Sequence, residues 1–299
     1  MEGPKFEIAL GEERYPDPLA VLPDPPKRLY VVGNPEALRE GLAVVGARRS
    51  TPYGRSAAEL FAGLAAERGV GIISGGARGC DAFAHEAALA CGGSTVAFLG
   101  GGCDKPYPSC NVKLFQRIVE SGGAVVSEHP WGMDPRPWMF RTRNRLIAGL
   151  ARATLIVEAA MPSGTFSTAD EALAAGKEVL AVPGSIFSPT SEGTNVLIAQ
   201  GAMPVVDRAS FLELLDGLFP EYAEGQLRLF GEGEVSAVSE FADDPLLMAL
   251  KADPMRLEQM VELFVQEQSV SKLMAKVSKL EALGLIERFP DGRFGAVSR

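Results

Sequence analysis

The sequence predicts an α/β protein built on a doubly wound parallel sheet, followed by a small C-terminal domain. Two observations support this fold class: short apolar runs alternate with longer helical patterns from residue 42 onward, and the runs are apolar on both faces. Strands of this kind are typical of a parallel sheet that helices cover on both sides. The length of 299 residues is enough for about two domains.

Six apolar runs predict the strands, at residues 42–46, 70–74, 95–99, 124–127, 154–157 and 178–182. The helical patterns predict helices near residues 54–68, 79–91, 109–121, 141–151, 165–175 and 192–200. This repeated alternation predicts one doubly wound domain over residues 42–217. Residues 1–41 contain too many prolines for a long helix, so we expect an extended lead-in there.

The C-terminal part predicts a linker and a second domain. Residues 218–242 mix Gly, Glu and Ser around isolated apolar residues, which indicates an acidic linker. Helical periodicity then covers 245–252, 255–265 and 269–283, and Gly284 is placed to end the last helix. Two short apolar runs flank a turn at 290–293 and predict a β-hairpin. Three short helices and a hairpin within 243–299 predict a winged-helix domain.

The charge of the chain is unevenly distributed. With 38 acidic and 29 basic residues the formal net charge is −9, which by itself argues against a nucleic-acid partner. Residues 1–32 hold 6 acids and 4 bases, and residues 216–242 hold 6 acids and 1 base. Residues 33–215 hold 17 acids and 16 bases. The predicted α/β domain is therefore nearly neutral, and a local phosphate-binding face is compatible with the acidic total.

The composition predicts no membrane, metal or cofactor site. No apolar run approaches the ~20 residues that span a bilayer, and the first residues lack the pattern of a signal peptide. We therefore expect a cytoplasmic protein with no membrane insertion. The 4 cysteines form no Cys-x-x-Cys pair, and only His85 and His129 could add imidazole ligands. We expect reduced, partly buried thiols and no bound metal.

The segments that follow the predicted strands have the composition of phosphate-binding loops. Glycine lets an anion approach the backbone, hydroxyl groups donate hydrogen bonds, and arginine pairs with phosphate oxygens. These segments lie at residues 46–51, 74–81, 100–102 and 163–168. Any doubly wound fold needs glycine-rich turns, so each loop alone is weak support. A turn does not require Arg48 and Arg78, however, and the two arginines favour a phosphate-binding face.

Two common nucleotide-binding motifs are absent. The Gly-x-Gly segments at 100–102 and 69–71 lack the third glycine of the dinucleotide motif. The single Gly-Lys pair, at 176–177, is followed by Glu178 instead of the Ser or Thr of a P-loop. The sequence therefore does not favour an NAD enzyme or a conventional ATPase.

The most basic segment of the chain is residues 140–152, with four arginines and no acid. Arginines at a helix N-terminus oppose the helix dipole, so they require an anion or acidic neighbours such as Glu128 and Glu158. Aromatic residues nearby offer either base stacking or ordinary packing. These aromatic residues are Tyr53, Tyr107, Trp131, Trp138 and Phe140.

Catalytic residues are poorly supported, and we expect no enzymatic activity. Asp81 and His85 are four residues apart on a predicted helix, where His85 would order the loop or hold Asp81. Asp170 and Glu171 form a carboxylate pair after Ser163, although acids are also favoured in the first turns of a helix. No serine or cysteine lies in a recognisable nucleophile motif.

The motifs of residues 15–207 together resemble the DprA/Smf family of DNA-processing proteins. The similarity lies in Val45-Gly46-Ala47-Arg48, Tyr53-Gly54, residues 74–81, Ala84-His85, Leu99-Gly100, Tyr107-Pro108, Asn111, Ser127-Glu128, Arg143-Asn144-Arg145, Val157-Glu158-Ala159, Ser163-Gly164, Thr168-Ala169, residues 181–184 and Gly193-Thr194-Asn195. Residues 243–299 resemble the small winged-helix domain of the family. Two positions depart from the family pattern: Arg141 stands where proline is usual, and Cys80 where an aliphatic residue is usual.

The resemblance implies an extended Rossmann-like domain that binds single-stranded DNA, forms a homodimer and loads the RecA recombinase onto incoming strands in natural transformation. It implies no catalytic residue, metal or cofactor. From the short lead-in we expect the N-terminal helical domain of many members to be absent. The DNA-binding residues implied by the motifs are Gly46, Arg48, Ser74, Gly75, Gly76, Arg78, Gly79, Arg143, Asn144, Arg145, Ser163 and Gly164.

Two other hypotheses remain open at this point. Residues 162–165 followed by Glu171 resemble the motif of nucleotide phosphoribohydrolases of the lysine-decarboxylase-like group, although the spacing of the acid differs. The C-terminal domain could instead contact DNA by itself, since Lys272, Lys276 and Lys279 recur at helical spacing. Residues 243–299 hold 9 acids and 8 bases, so a solvated helix face explains these lysines equally well.

Overall fold

The computed structural model describes residues 1–161, 163–222, 244–252, 255–264, 270–282, 286–288 and 293–296. The chain divides into two compact units, Met1–Ala223 and Glu224–Arg299. Three features expected from the sequence lie outside the described residues. These are the linker from 223 to 242, the helix stop at Gly284 and positions 290–292 of the hairpin turn.

In the described part of the first unit, nine strands form a single sheet. They are β1 Lys5–Ala9, β2 Arg28–Gly33, β3 Gly41–Val45, β4 Ile72–Ser74, β5 Thr95–Phe98, β6 Ala124–Ser127, β7 Ala151–Ile156, β8 Glu178–Ala181 and β9 Met203–Pro204. Their order is β1-β2-β6-β5-β4-β3-β7-β8-β9. Strands β3 to β9 pair in parallel, whereas β1 pairs antiparallel with β2, and β2 with β6. The prediction of a doubly wound, mainly parallel sheet is confirmed.

Helices follow the parallel strands in the alternation that the sequence predicts. They are α1 Asp17–Ala20, α2 Pro52–Glu67, α3 Cys80–Ala90, α4 Val112–Glu120, α5 Pro137–Leu150, α6 Gly164–Ala174, α7 Glu192–Ala199 and α8 Arg208–Leu218. Short 3-10 turns cover Pro35–Ala37 and Ser109–Asn111. No helix among the described residues combines the length and apolar character needed to cross a membrane.

The core lies on both faces of the sheet. Strand β3 shows why, since Ala43 and Val45 belong to one apolar cluster and Leu42 and Val44 to the other. Successive side chains of a strand point to opposite faces, so both faces must be covered. Helices α1, α5, α6 and α7 contribute to the first cluster, and α2, α3 and α8 to the second. The residues of α4 pack in a further cluster with β2, β5 and β6.

Several features of this unit were not predicted from the sequence, among them the short elements α1 and β9. The lead-in is extended, but two of its segments are the sheet strands β1 and β2. Helix α5 begins at Pro137, four residues before the predicted start, because proline fits the first turn of a helix. Its arginines therefore lie beyond the first turn, where the dipole argument of the sequence analysis does not apply. Helix α8 was also not predicted, although Phe211 and Leu215 of this helix are buried in the core.

The C-terminal unit contains the predicted helices and hairpin strands. Helices α9 Pro245–Ala252, α10 Leu257–Phe264 and α11 Val270–Ala282 precede an antiparallel pair, β10 Ile286–Arg288 and β11 Phe294–Ala296. The unit has its own apolar core, which includes Leu246, Leu250, Met260, Leu273, Leu280 and Ile286. A winged-helix fold for this unit stays a prediction.

The core position of Phe211 makes the contribution of α8 testable. Its side chain is fully buried, and its ring centroid lies 4.9 Å from that of Phe61 on α2. Phe211→Ala is expected to lower the free energy of unfolding by about 3–5 kcal/mol, because removal of the ring loses apolar burial and leaves a cavity in the core. Urea denaturation followed by circular dichroism measures this loss. The control Val206→Ala, at a position that is 64% exposed, should change stability by less than about 0.5 kcal/mol. Equal stability of the two variants would contradict the packing of α8.

Candidate functional site

A cleft of ≈ 560 Å³ lies at the carboxyl edge of the sheet. The strand order reverses at this place, because β4, β5 and β6 extend to one side of β3 and β7, β8 and β9 to the other. Open α/β sheets bind ligands at such a switch point. The cleft is lined by the loops after β3, β4, β7 and β8 and by residues of α3, α5 and α6. The topology and the cavity thus identify the same candidate site.

The cleft brings together half of the residues implied by the family motifs. Those that line it are Gly46, Arg48, Arg143, Asn144, Ser163 and Gly164. The residues that do not line it are Ser74, Gly75, Gly76, Arg78, Gly79 and Arg145. The contacts of the second group show what these residues do instead.

Arg143 is a buried cation at the base of the cleft. Its side chain donates hydrogen bonds to the carbonyl oxygens of Gly75, at 2.6 Å, and of Phe98. Burial lowers the pKa of Arg143 to about 10, while the neighbouring Asp81 carboxyl acts in the opposite direction. A side chain at position 75 would collide with the guanidinium, since a Cβ there would lie 2.6 Å from its nitrogen atoms. Arg143 therefore joins the loops after β4 and β5, and Gly75 makes room for it.

The Asp81 carboxylate holds the loop after β4 in place. Its carboxylate accepts hydrogen bonds from the N–H groups of Gly75 and Ala77, each at 3.2 Å. Burial raises the pKa of Asp81, against the lowering effect of Arg143. From the other side, the Asn111 amide donates to the carbonyl oxygens of Gly76 and Ala77, at 3.0 and 3.1 Å. The loop is thus held by side chains, so its glycines shape the site without lining it.

Ser74 and Gly79, at the two ends of the loop after β4, have structural contacts. Ser74 is fully buried and donates its hydroxyl hydrogen to the Val44 carbonyl at 2.6 Å. Gly79 adopts φ of +79° just before α3, and a Cβ there would lie 2.2 Å from the Ala47 carbonyl oxygen. Arg78, in contrast, is exposed on the loop surface. Ser74 and Gly79 therefore have structural roles, and of these three residues Arg78 is the one exposed to solvent.

The other three arginines of residues 140–152, two on α5 and Arg152 on β7, have different environments. Arg145 forms a two-bond ion pair with Glu128, at 3.0 and 2.7 Å. Arg152 pairs with Glu40 and Glu221. Arg141 is exposed and lines the cleft. The acidic-neighbour alternative of the sequence analysis thus holds for Arg145 through Glu128, but Glu158 pairs with none of these arginines in the described contacts.

The charge that faces solvent in the cleft is positive. Arg48, Arg49 and Arg141 are exposed and line it. The single acid among its described lining residues is Asp81, which is buried and hydrogen-bonded. Gly164, at the N-terminus of α6, also lines the cleft, and a Cβ there would meet nothing within 4 Å, so this helix end is open to a ligand. Such a helix end favours a phosphate or another anion.

Two of the five predicted aromatic residues are grouped at the α5 side of the cleft. Phe140 lines the cleft, with the Arg48 guanidinium 5.6 Å from its ring centroid and the Tyr107 ring 5.5 Å away. Tyr107 is 50% exposed, so its ring, which packs against Phe140, is accessible to a ligand. Trp131 packs instead against Tyr30 and bonds Glu7, which makes it a structural residue.

Glu158, which the sequence suggested only as a neighbour of the arginines and as part of a family motif, connects three loops at the site. It is 1% exposed and accepts hydrogen bonds from the Thr51 backbone at 3.0 Å, the Thr51 hydroxyl at 2.5 Å and the Thr190 hydroxyl at 3.2 Å. It therefore connects the loops after β3, β7 and β8. An acid directly after an apolar strand was the available signal, since such an acid needs buried donors.

The remaining catalytic candidates do not meet in the cleft. His85 bonds Thr95 at 2.7 Å, and no bond joins it to Asp81. The Thr95 hydroxyl already donates to the Ile72 carbonyl, so His85 Nδ1 is the donor to Thr95. Burial lowers the pKa of His85 to about 3. Neither Asp170 nor Glu171 lines the cleft. No three His, Cys, Asp or Glu side chains in the described part of the chain are grouped as metal ligands would be.

Residues 7–216 match the family described as DNA recombination-mediator protein A. The chain belongs to this family. Protein Smf of Escherichia coli is 44% identical over 209 residues, which are 70% of this chain and 56% of that protein. The chain thus spans little more than half the length of this relative. The resemblance stated from the sequence motifs is confirmed.

Solved structures of DNA processing protein A show the same fold. The protein from Streptococcus pneumoniae superposes with a TM-score of 0.63 and 38% identity, over 68% of this chain and 71% of that one. The protein from Helicobacter pylori, described for its single-stranded DNA binding mode, gives a TM-score of 0.65 and 31% identity, over 74% of this chain and 98% of that one. Both similarities place the Rossmann-like unit of this chain within the recombination-mediator protein A family.

The buried position of Arg143 leads to a stability prediction. Arg143→Ala leaves the buried Asp81 carboxyl without its cation and two carbonyl oxygens without their donor. We expect the free energy of unfolding to fall by about 3–5 kcal/mol. Urea denaturation measures it, with Arg141→Ala as the matched control on the same helix, where the exposed side chain should contribute less than about 0.5 kcal/mol. If both variants were as stable as the wild type, Arg143 would not hold the loops together.

The neutral, buried His85 leads to a pH prediction. Its folded-state pKa is lowered, so its contribution to stability is complete above the unfolded pKa of about 6.5 and is lost as the pH falls toward the folded value. Between pH 7.5 and 5.5 the wild type should lose about 1.4 kcal/mol of unfolding free energy more than His85→Gln. Urea denaturation of both proteins at the two pH values measures this difference. Parallel pH dependence of the two proteins would show that folding does not lower the pKa of His85.

Proposed function

We propose that this protein binds single-stranded DNA without sequence preference, in the cleft at the switch point of the sheet. The observation that supports this most directly is the set of exposed arginines, Arg48, Arg49 and Arg141, around the open N-terminus of α6. Paired arginine donors and free helix N–H groups recognise phosphate oxygens. The description of the Helicobacter pylori relative by its single-stranded DNA binding mode supports the same ligand.

The residues of the cleft divide into two roles in this proposal. Arg48, Arg49, Arg141 and the backbone at Gly164 contact successive phosphates. Arg143 with its carbonyl acceptors and Asp81 keeps the floor of the cleft in place. Because phosphate contacts carry no sequence information, the binding is sequence-tolerant.

The aromatic residues beside the cleft favour a single strand over a duplex. Phe140 and Tyr107 offer ring faces on which unpaired bases stack, as in other proteins that bind single strands without sequence preference. The bases of a duplex are already stacked and are not available to these rings. A duplex should therefore bind more weakly than a single strand of equal length.

The family resemblance supports the wider role. We propose that the protein protects incoming DNA and loads RecA recombinase onto it in natural transformation, that it acts in the cytoplasm, and that it forms a homodimer through the Rossmann-like unit. We propose no catalytic step, because the clustered side chains of the cleft are phosphate ligands and structural partners. The phosphoribohydrolase alternative is not favoured, since Glu171 is not a lining residue.

For the C-terminal unit we propose a winged-helix fold, which the order of three helices and two antiparallel strands supports. Its independent binding of DNA has less support. Of the three lysines that suggested a recognition helix, Lys276 forms an ion pair with Asp244. The cleft of the first unit therefore stays the leading DNA site.

The phosphate role of Arg48 is tested by Arg48→Ala. Losing one charge-assisted contact of about 1.5–3 kcal/mol should weaken single-strand binding by about 10- to 150-fold. The dependence of affinity on salt concentration should also become less steep, by about 0.7 in the logarithmic slope. Fluorescence anisotropy with labelled oligonucleotides of several sequences, across salt concentrations, measures both quantities.

The control for Arg48→Ala is Arg117→Ala, which removes an exposed arginine outside the cleft. Arg117 pairs with Glu86 at 2.5 Å, and an exposed pair of this kind contributes little to stability. Its removal should leave affinity and salt slope unchanged. Equal losses in the two variants would show a diffuse effect of charge and would reject the cleft as the DNA site.

A further inference from the structure

The loop between β8 and α7 exposes two adjacent large apolar side chains. Ile186 is 83% exposed and Phe187 is 89% exposed, the highest values for large apolar residues in the described part of the chain. Single exposed apolar residues are common on protein surfaces, whereas adjacent ones indicate a contact surface. This pair has no role in the core and no role in the function proposed so far.

The structure holds this loop firmly at both ends. The Asn195 amide donates to the Gly184 carbonyl at 3.0 Å and accepts from the Gly184 N–H at 3.2 Å. The Tyr53 hydroxyl donates to the Pro183 carbonyl at 2.6 Å. At the other end the Thr190 hydroxyl donates to Glu158. Ile186 and Phe187 are therefore presented from a fixed loop.

The same loop borders the cationic cleft. Thr190 lines the cleft, and its carbonyl accepts from the Ala159 N–H at 2.9 Å, in the loop after β7. That neighbouring loop exposes Met161, at 46%. Because β7 and β8 are adjacent in the sheet, the two loops lie side by side. We call Met161, Ile186 and Phe187 the apolar rim.

We propose that the apolar rim contacts the bases of a single DNA strand where it leaves the arginine cleft on the β8 side, with Phe187 stacking on one base. This inference rests on the proposed function. The arginines of the cleft attract the phosphates, and an aromatic ring beside a basic groove is a general means of holding unpaired bases. The strand would thus lie between two aromatic groups, Phe140 with Tyr107 on the α5 side and Phe187 on the β8 side.

The size and the surroundings of the rim favour bases over a protein partner. A stable protein interface buries about 800 Å² on each side, more than three side chains on two loops provide. The cleft that Thr190 lines also contains the exposed Arg48 and Arg49, whose positive charge attracts a polyanion. A polyanion carrying flat apolar groups fits both the rim and the arginines.

Phe187→Ala in the full chain tests the proposal by fluorescence anisotropy with short and long single-stranded oligonucleotides. Base stacking on an aromatic residue corresponds to about 1–3 kcal/mol, so affinity for long strands should fall by about 5- to 150-fold. The salt slope should not change, because no phosphate contact is removed. Phe187→Trp should restore the affinity, and a 2-aminopurine base in the strand should be quenched by wild type and Phe187→Trp but not by Phe187→Ala.

The matched control is Val21→Ala, at an 80% exposed apolar position that ends α1 outside the cleft lining. It should bind as the wild type does. Thermal denaturation of Phe187→Ala should also match the wild type, since the ring is exposed.

The possible failures are distinguishable. If the wild type does not bind single-stranded DNA, the proposed function itself is rejected. If the wild type binds and Phe187→Ala binds equally well with unchanged quenching, the rim proposal alone is overturned. Two other results would also overturn it: a loss of self-association in sedimentation with DNA affinity unchanged, which indicates a second copy as the occupant, or a loss of co-sedimentation with anionic phospholipid vesicles with DNA affinity unchanged.

Discussion

The burial of the Arg143 guanidinium is the interaction on which the rest of the site depends. An ion in a protein interior is costly unless hydrogen bonds and an opposite charge compensate it. Here the Gly75 and Phe98 carbonyls accept from it, and Asp81 supplies the opposite charge. Each of these partners is itself fixed, because Gly75 cannot carry a side chain and Asp81 also bonds the loop N–H groups. The ends of β4 and β5 are thus joined into a rigid floor beneath the exposed arginines.

This arrangement separates the residues that shape the cleft from those that can touch a ligand. Arg141, Arg143 and Arg145 alternate along α5, and each residue of a helix is rotated by about 100° from the one before. The three side chains therefore point in different directions: Arg141 into the cleft opening, Arg143 into the interior, and Arg145 toward Glu128. The sequence shows how many arginines the segment contains, but the rotation of the helix determines which of them is exposed to solvent.

Much of the fold could be predicted from the sequence, because a strand that is buried on both faces is apolar at most positions. The six predicted parallel strands have this property, and all are present. Strands β1 and β2 include exposed and half-buried positions and lie among prolines, and β9 has only two residues, so the same criterion missed these three strands. For the site, glycine and arginine after strand ends indicated the correct edge of the sheet. Glu128 was a candidate partner of Arg145 from its charge alone, whereas the partners of Ser74 and Glu158 could not be predicted, since they come from segments distant in the sequence.

The local balance of charge, and not the net charge of −9, determines what the cleft attracts. The acids nearest to it are already engaged: Asp81 with loop N–H groups, and Glu158 with Thr51 and Thr190. Glu128 is likewise paired with Arg145. A carboxylate that is fixed by internal hydrogen bonds does not approach a bound phosphate. Its charge is already stabilised by these bonds, so it does not require a cation from solvent. Among the described residues no ion pair involves the exposed arginines Arg48, Arg49 and Arg141 of the cleft, and an acidic protein can in this way carry a surface that recognises a polyanion.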